Sequence, residues 1–440
     1  MTAIELSPEK RAADFAARHL RTNFLVLCLD AATFSCGLAF LETSTVLPVL
    51  LSKLNASDIL VGVARLIQVL GFTLPALAGA HYIHGRTLHK PFLLKACAIG
   101  RSGLITLPLL FAFFAKDNPS LALVWFFVAY SMFALTDGAG AVSWFDIIGK
   151  TIPEKIRGRF FGAMQALSGL AAVAAGFGVK AVLEHWTYPT NFAILAVGLC
   201  IGVFGSLIFL ILVHEPESTL SPTALDKEAP RFGEYVRGAL PLLRANPRLT
   251  RIILIRFLLD GACMALPFYV LYAERNLKQS LLMVGVFAIS QSVGRVCCGP
   301  LWGWLTDRFG AIAGFRAVAV CTTAIPVAAL IAGHGVSWAI LIAFALIGAI
   351  QDGIWMAGYN AVLSSVTDED RPLAVGVCSL LQSPGALFGP IGGLLAQGTS
   401  YATVFTTAIA FGMAALAASS IRMPLVLLRR ESDESPSVPG

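Results

Sequence analysis

Charge is scarce in this chain: Asp, Glu, Lys and Arg make up 13% of 440 residues, where a soluble domain carries about 25%. A soluble protein of this length needs a polar surface, and this composition cannot supply one. An ordinary cytosolic enzyme and a disordered protein are thereby excluded. Cysteine is present nine times but never as a CxxC pair, and every copy sits in an apolar stretch. That excludes a disulfide scaffold and favours small buried hydrophobes. No GxSxG nucleophile turn and no GxxxxGK[ST] phosphate loop occurs, so hydrolase chemistry and an ATP-driven pump have no support. The seven histidines lie in loops or at the ends of apolar runs without metal-ligand spacing. No cofactor, metal or catalytic residue is expected. The first 22 residues carry both charge signs and no apolar core, unlike a cleavable signal peptide. The net charge of +6 is spread over short loops, so no nucleic-acid partner is implied.

What is present is apolar length. Hydrophobic residues reach 57% and the mean hydropathy is +0.76. Apolar runs fall at 23–51, 58–83, 91–115, 120–146, 159–183, 191–213, 252–273, 280–305, 311–333, 336–362, 372–397 and 400–428. Each can cross a hydrocarbon core about 30 Å thick, which takes about 20 residues of helix. Strand-like alternation is absent, and lipid admits only helices or closed barrels. The expected fold is an all-α integral membrane protein of twelve transmembrane helices. The basic residues test this count. Of the loop lysines and arginines, Lys53, Lys116, Arg275 and Lys278 fall on one side and all the others on the opposite side. By the positive-inside rule both termini are cytoplasmic in a multi-pass cell (inner) membrane protein. The longest polar stretch, 214–251, divides the chain into an N-terminal six-helix bundle (1–213) and a C-terminal one (252–440). Within the linker, 231–246 reads as a short surface helix or a solvated one.

The halves look like repeats. Shifted by 214 positions, Phe145 matches Tyr359, Asp146 matches Asn360, Arg157 matches Arg371 and Gly162 matches Gly376. Spans one and seven share a Leu-Asp pair (Leu29-Asp30, Leu259-Asp260), and spans two and eight share QxxG (Gln68-Gly71, Gln291-Gly294). The loop after span eight reads GWLTDRFG, Gly303 to Gly310. This resembles the G-x-L-x-D-R-x-G motif of the major facilitator superfamily. Gly303 would allow close packing, Asp307 would bond a helix N-terminus, Arg308 would stay in the aqueous layer and Gly310 would make the turn. The first-half counterpart, GAHYIHGRTLHK, lacks the Asp. The loop PEKIRGRFFG, with Arg157, resembles the superfamily's loop between helices four and five, and the stretch WTYPTNFAILAVG resembles its bacterial members. Span eleven contains GALFGPIGG, similar to the glycine-proline helix motif of facilitators. Span five (SGLAAVAAGFGVK) has no Pro, unlike drug/proton antiporters. The resemblance implies two pseudo-symmetric six-helix bundles around a central cavity, lined by helices one, four, seven and ten. It also implies gating roles for Gly303, Asp307, Arg308, Gly310, Arg157 and Arg371.

Charges inside the spans locate any chemistry. They are Asp30, Glu42, Arg65, Arg101, Asp137, Asp260, Arg295 and Asp352. Each costs about +2.5 to +3.5 kcal/mol at a helix centre, so they must pair or face a wet cavity. At 1.5 Å per residue, Arg101 and Asp137 lie at the same depth, roughly 15 Å from their cytoplasmic ends, and a pair is expected. Arg295 with Asp352, and Glu42 with Arg65, are further expected pairs, and Asp260 lies near the first of them. The binding candidates for substrate or proton are Glu42, Gln68, Arg101, Asp137, Asp260, Gln291, Arg295, Asp352, Tyr359 and Asn360. The expected function is secondary active transport of a small molecule by alternating access. A small organic anion is preferred, because mid-depth arginines suit a carboxylate, and a coupling proton is a further expected partner. The alternatives are an exporter of amphipathic compounds and a non-transporting receptor or scaffold of the same fold. A membrane-embedded enzyme would need a His or Asp cluster at the loop–membrane boundary, and the sequence shows none. A monomer in the lipid bilayer is expected.

Overall fold

A computed structural model describes residues 8–83, 86–217, 241, 243–244, 246–363, 378 and 381–420. The side chains of Asp307, Asp352, Tyr359 and Asn360, and the whole of Arg371, lie outside the described residues, as does most of the linker with its expected surface helix. Among the described residues there are ten helices long and apolar enough to cross a membrane. They correspond to expected spans one to nine and twelve. The tenth span is a helix, Ala339–Leu363. The eleventh is described from a 3-10 turn, Ser383–Leu387, into the helix Phe388–Gly398. No strand occurs among the described residues.

Several ends run beyond the apolar lengths, span four to Thr151 and span five from Glu154 among them, and two starts have clear local causes. Span one starts at Pro8, not 23, because an amphipathic and charged stretch prolongs the helix beyond the apolar run. Span seven starts at Pro247, inside the expected linker. Asn246 accepts the Leu249 amide at 3.0 Å as an N-cap, and Pro247 follows in the first turn.

Several spans are broken. Span one stops at Ala39, turns through Phe40–Thr45 and resumes as Val46–Lys53. Span seven stops at Ala262, passes through Cys263–Ala265 and resumes at Phe268 after Pro267. Span three is interrupted at Gly103–Thr106 just before Pro108. Proline removes one helix donor and clashes with the preceding turn, which accounts for the breaks in spans three and seven.

Polar contacts identify two faces. At one, the Tyr188 hydroxyl donates to the Ala115 carbonyl (2.8 Å), and Asp58, Arg275 and Tyr401 meet. The other, here called the basic face, shows matching caps in both halves. Lys90, at the start of span three, donates to the Ile211 and Val213 carbonyls at the end of span six (both 2.7 Å). Arg316, early in span nine, donates to the Ser419 carbonyl at the end of span twelve (2.9 Å), joined by Arg251 from span seven. Cations at helix C-termini complement the dipole.

Small residues set the packing inside each half. Span two meets span four at Gly71 and Gly138, where a Cβ on either would collide with the other helix. Spans eight and ten repeat that pairing at Gly294 and Gly348. Between the halves, Gly62 of span two lies against the backbone of Gly389 in span eleven, and Gly176 of span five faces Ile289 of span eight. Both junctions lie toward the face opposite the basic one. On the basic-face side, a Cβ at Gly158 or Gly162 of span five, or Gly299 of span eight, would meet nothing within 4 Å.

Candidate functional site

Three polar assemblies lie in or between the bundles. The first is in the N-terminal half. Arg101 bonds Asp137 through both Nε (3.3 Å) and Nη2 (3.1 Å). Its Nη1 donates to the Val203 carbonyl and to the Ser206 hydroxyl (3.2 Å). Ser206 in turn donates to Asp30 Oδ1 (2.6 Å), and Trp144 Nε1 donates to Asp30 Oδ2 (2.8 Å). The Arg101 guanidinium also lies 5.2 Å from the centre of the Phe34 ring. The four polar residues Arg101, Asp137, Asp30 and Ser206 are each at most 7% exposed. This network ties spans one, three, four and six together. The Arg101–Asp137 pair expected from depth is present. With every guanidinium nitrogen engaged, Arg101 has no edge left for a ligand carboxylate.

The second assembly belongs to the C-terminal half and is less buried. Asp260 pairs with Arg256 one turn away on its own helix (3.3 Å), with side chains 22% and 25% exposed. Arg256 also reaches the Ile354 carbonyl of span ten (3.4 Å). Arg295 is engaged with a neighbouring group.

The third assembly spans the junction of the halves, at the break in span one. Ser44 donates to Gln291 of span eight (3.0 Å) and lies 3.3 Å from Glu42 Oε1, and both Ser44 and Gln291 are buried. Glu42, in the turn itself, is half-buried, as are Arg65 and Gln68 of span two. Arg65 Nη1 lies 3.5 Å from Gln68 Oε1. The expected Glu42–Arg65 pair does not form: among the described residues neither has an ion-pair partner within 4 Å. Broken helices at a repeat interface free backbone groups and are where transporter sites are commonly built. Arg65 was legible in the sequence as an intramembrane charge and an expected partner for Glu42, but was not among the ligand candidates.

The face opposite the basic one is closed by charge. Arg275, at the end of span seven, bonds Asp58 (2.9 Å), Ser52 (3.0 Å) and the Tyr401 hydroxyl, and Tyr401 donates to Asp58 (3.0 Å). Lys53 pairs with Glu274 at 2.8 Å. Both ion pairs cross between the halves.

At the basic face, Gly310 has φ +80° and turns span eight into span nine, a conformation that favours glycine. Arg308 is exposed, and the Gly303 carbonyl accepts from Thr306 (3.0 Å). Arg157 donates to the Gly149 and Ile152 carbonyls (3.2 and 3.3 Å), capping the end of span four. In the first half, where the motif lacks its Asp, Glu215 supplies a carboxylate from beyond span six. It accepts the His89 and Lys90 amides at the start of span three (2.8–3.0 Å). His89, Asp146 and Glu215 bring ligand atoms within 4.8 Å of one another. The Lys150 ammonium already sits among them, 2.7 Å from Asp146, 3.0 Å from Glu215 and 3.3 Å from His89. The cluster is therefore a salt-bridge knot in which lysine fills the cation position. The linker start is tied down beside it: Asn23 bonds both backbone groups of His214 (2.8 and 2.9 Å), and the His19 and His214 rings stack at 4.2 Å. Desolvation, with His19 and Lys90 nearby, holds the His214 imidazole below its usual pKa.

Comparison with known proteins follows the fold. The Major Facilitator Superfamily model matches residues 263–440. The solved nucleoside transporter NupG is 14% identical, with 90% of this chain and 98% of its own covered and a TM-score of 0.66. A D-xylose-proton symporter is 17% identical, with 93% and 98% covered and a TM-score of 0.63. The xylose transporter XylE from E. coli, solved in a partially occluded inward open conformation, is 16% identical, with 91% and 97% covered and a TM-score of 0.61. At these identities the likeness is one of fold.

Proposed function

We propose that this chain, whose residues 263–440 match the Major Facilitator Superfamily model and whose fold is similar to that of solved transporters, belongs to that superfamily and is a secondary transporter that moves a small molecule by alternating access, with its basic face in the cytoplasm. One observation carries the reading. The halves touch toward one face, through Gly62–Gly389 and the Asp58–Arg275 and Lys53–Glu274 pairs, while glycines of spans five and eight near the basic face are uncovered. Rocking one bundle against the other would exchange open and closed ends around the junction. The positive-inside distribution of Lys and Arg supports the orientation. The neighbours are named for nucleosides, peptides and xylose, so those three classes head the uptake panel.

The substrate carries a carboxylate in this reading. Arg65 supports it, since it lies beside Gly389 at the junction with Gln68 as its polar contact among the described residues and a guanidinium holds a carboxylate bidentately. Arg101 and Asp137 are assigned to structure instead. Proton coupling would run through Glu42 or Asp260, which are less buried than Asp137. Gln291 positions Ser44. Reconstitution into proteoliposomes tests the reading: an imposed proton gradient should drive uptake, and the Glu42→Gln and Asp260→Asn changes should flatten its pH dependence. Equal uptake with and without the gradient would refute coupling, and no uptake of any panel member would favour a non-transporting scaffold.

A further inference from the structure

We propose that the junction site takes a zwitterion, a substrate carrying an ammonium as well as a carboxylate, held between Glu42 and Arg65. The proposal rests on the transporter reading and names the substrate class for that site. Glu42 and Arg65 are opposite charges on consecutive spans, both half-buried and both beside contacts that join the halves, Ser44–Gln291 and Gly62–Gly389, and yet not paired with each other. Lone charges at a helix centre in the membrane cost about +2.5 to +3.5 kcal/mol each. Elsewhere in the chain such charges are neutralised inside the protein, as Arg101 is by Asp137 and Arg256 by Asp260. Here the fold keeps them apart.

The reason is local. Glu42 sits in the turn Phe40–Thr45, and its Oε1 is drawn toward Ser44, which is itself fixed on Gln291 of the other half. Arg65 lies two turns into span two, beside the Gly62–Gly389 contact that fixes its helix against span eleven. That is roughly 10 Å below the start of the span at Asp58. Each charge is thus positioned by contacts that cross between the halves, and each has capacity for further hydrogen bonds. A ligand with one charge would leave the other group unmatched in a half-buried space. A ligand with both would satisfy the two together.

Thermal stability of the purified full chain tests this with a matched series. The zwitterions are glycine, β-alanine, 4-aminobutyrate, 6-aminohexanoate and the dipeptide Ala-Ala. The controls are acetate, propionate, butyrate and hexanoate, and the corresponding alkylamines. At least one zwitterion should stabilise the protein at a concentration at least tenfold below that needed by its singly charged analogues. Arg65→Gln and Glu42→Gln should each erase that advantage, and the double variant should lose no more than either one, because the two groups act on one ligand. Glu42→Gln should leave carboxylate-only analogues unaffected. If the carboxylates alone stabilise as well as the zwitterions, or if no member of the series stabilises, the proposal is overturned. Spin-label distances between the halves report on alternation independently, so a failed ligand class and a failed transporter reading are distinguishable.

Discussion

The two halves share a Leu-Asp pair in their first spans but use it differently. In the N-terminal half, Asp30 is 3% exposed and is held by Ser206 and Trp144, next to the Arg101–Asp137 pair. In the C-terminal half, Asp260 is 22% exposed and pairs with Arg256 of its own helix. The first arrangement braces four spans against one another. The second leaves a charged pair less buried, at the place where span seven meets spans ten and eleven. Two bundles of similar architecture can thus differ, one kept rigid and the other with polar groups left accessible. A body that rocks needs the first property, and a pathway that carries solute needs the second.

The comparison predicts unequal costs. Arg101→Met should have the largest effect, leaving Asp137 and Asp30 buried without a counter-charge and lowering stability by about 3–5 kcal/mol. Loss of monodisperse protein, or a steep fall in melting temperature, would show it. Arg256→Gln should lower stability by no more than about 1 kcal/mol, since that pair is partly solvated. Equal losses in the two halves would break the comparison. Next in size is Gly62→Leu, which should keep the halves from closing at Gly389 while leaving each bundle folded. Labelling of a cysteine at Ser52, which Arg275 of the other half contacts when this face is closed, should then rise severalfold.

Arg275→Gln should act in the same direction and more weakly. It removes ion pairing to Asp58 from a side chain that is 40% exposed, an interaction in the range of about 0–1 kcal/mol. The smallest effect concerns the linker anchor. His214 has a lowered pKa, so the released linker binds a proton more readily than the docked one. The anchor is stable above the ordinary imidazole range and weakens as pH falls through it. Limited proteolysis of the linker should therefore speed up modestly from pH 8 to pH 5.5, and His214→Phe should remove that dependence.

Much of this arrangement was legible in the sequence. Apolar length and basic loops gave the spans, and helical rise placed Arg101 level with Asp137. Depth alone cannot fix the direction in which a residue points around its helix. Glu42 and Arg65 share a depth but not a partner, because the turn at Phe40–Thr45 re-aims Glu42 toward Ser44. The polar run Glu42–Thr45, followed by Pro48, marks the break in the sequence, but not the direction in which Glu42 then points. Ser206 was hidden, since it is uncharged and gains its meaning from Asp30. The Glu215 knot was missed because its members come from three separated segments, and the motif it substitutes for is incomplete in the first half.

The central claim is that the halves exchange which end is open. Pairs of spin labels test it most directly in a Cys297→Ser background, one pair at Asn55 and Lys278 and the other at Thr87 and Phe309. Pulsed dipolar spectroscopy in lipid nanodiscs should show a short distance for the first pair and a long one for the second. A second population in which both trends reverse should grow or shrink with pH or ligand. A single distance for each pair, unmoved by any condition, would contradict the account and mark the chain as a fixed scaffold.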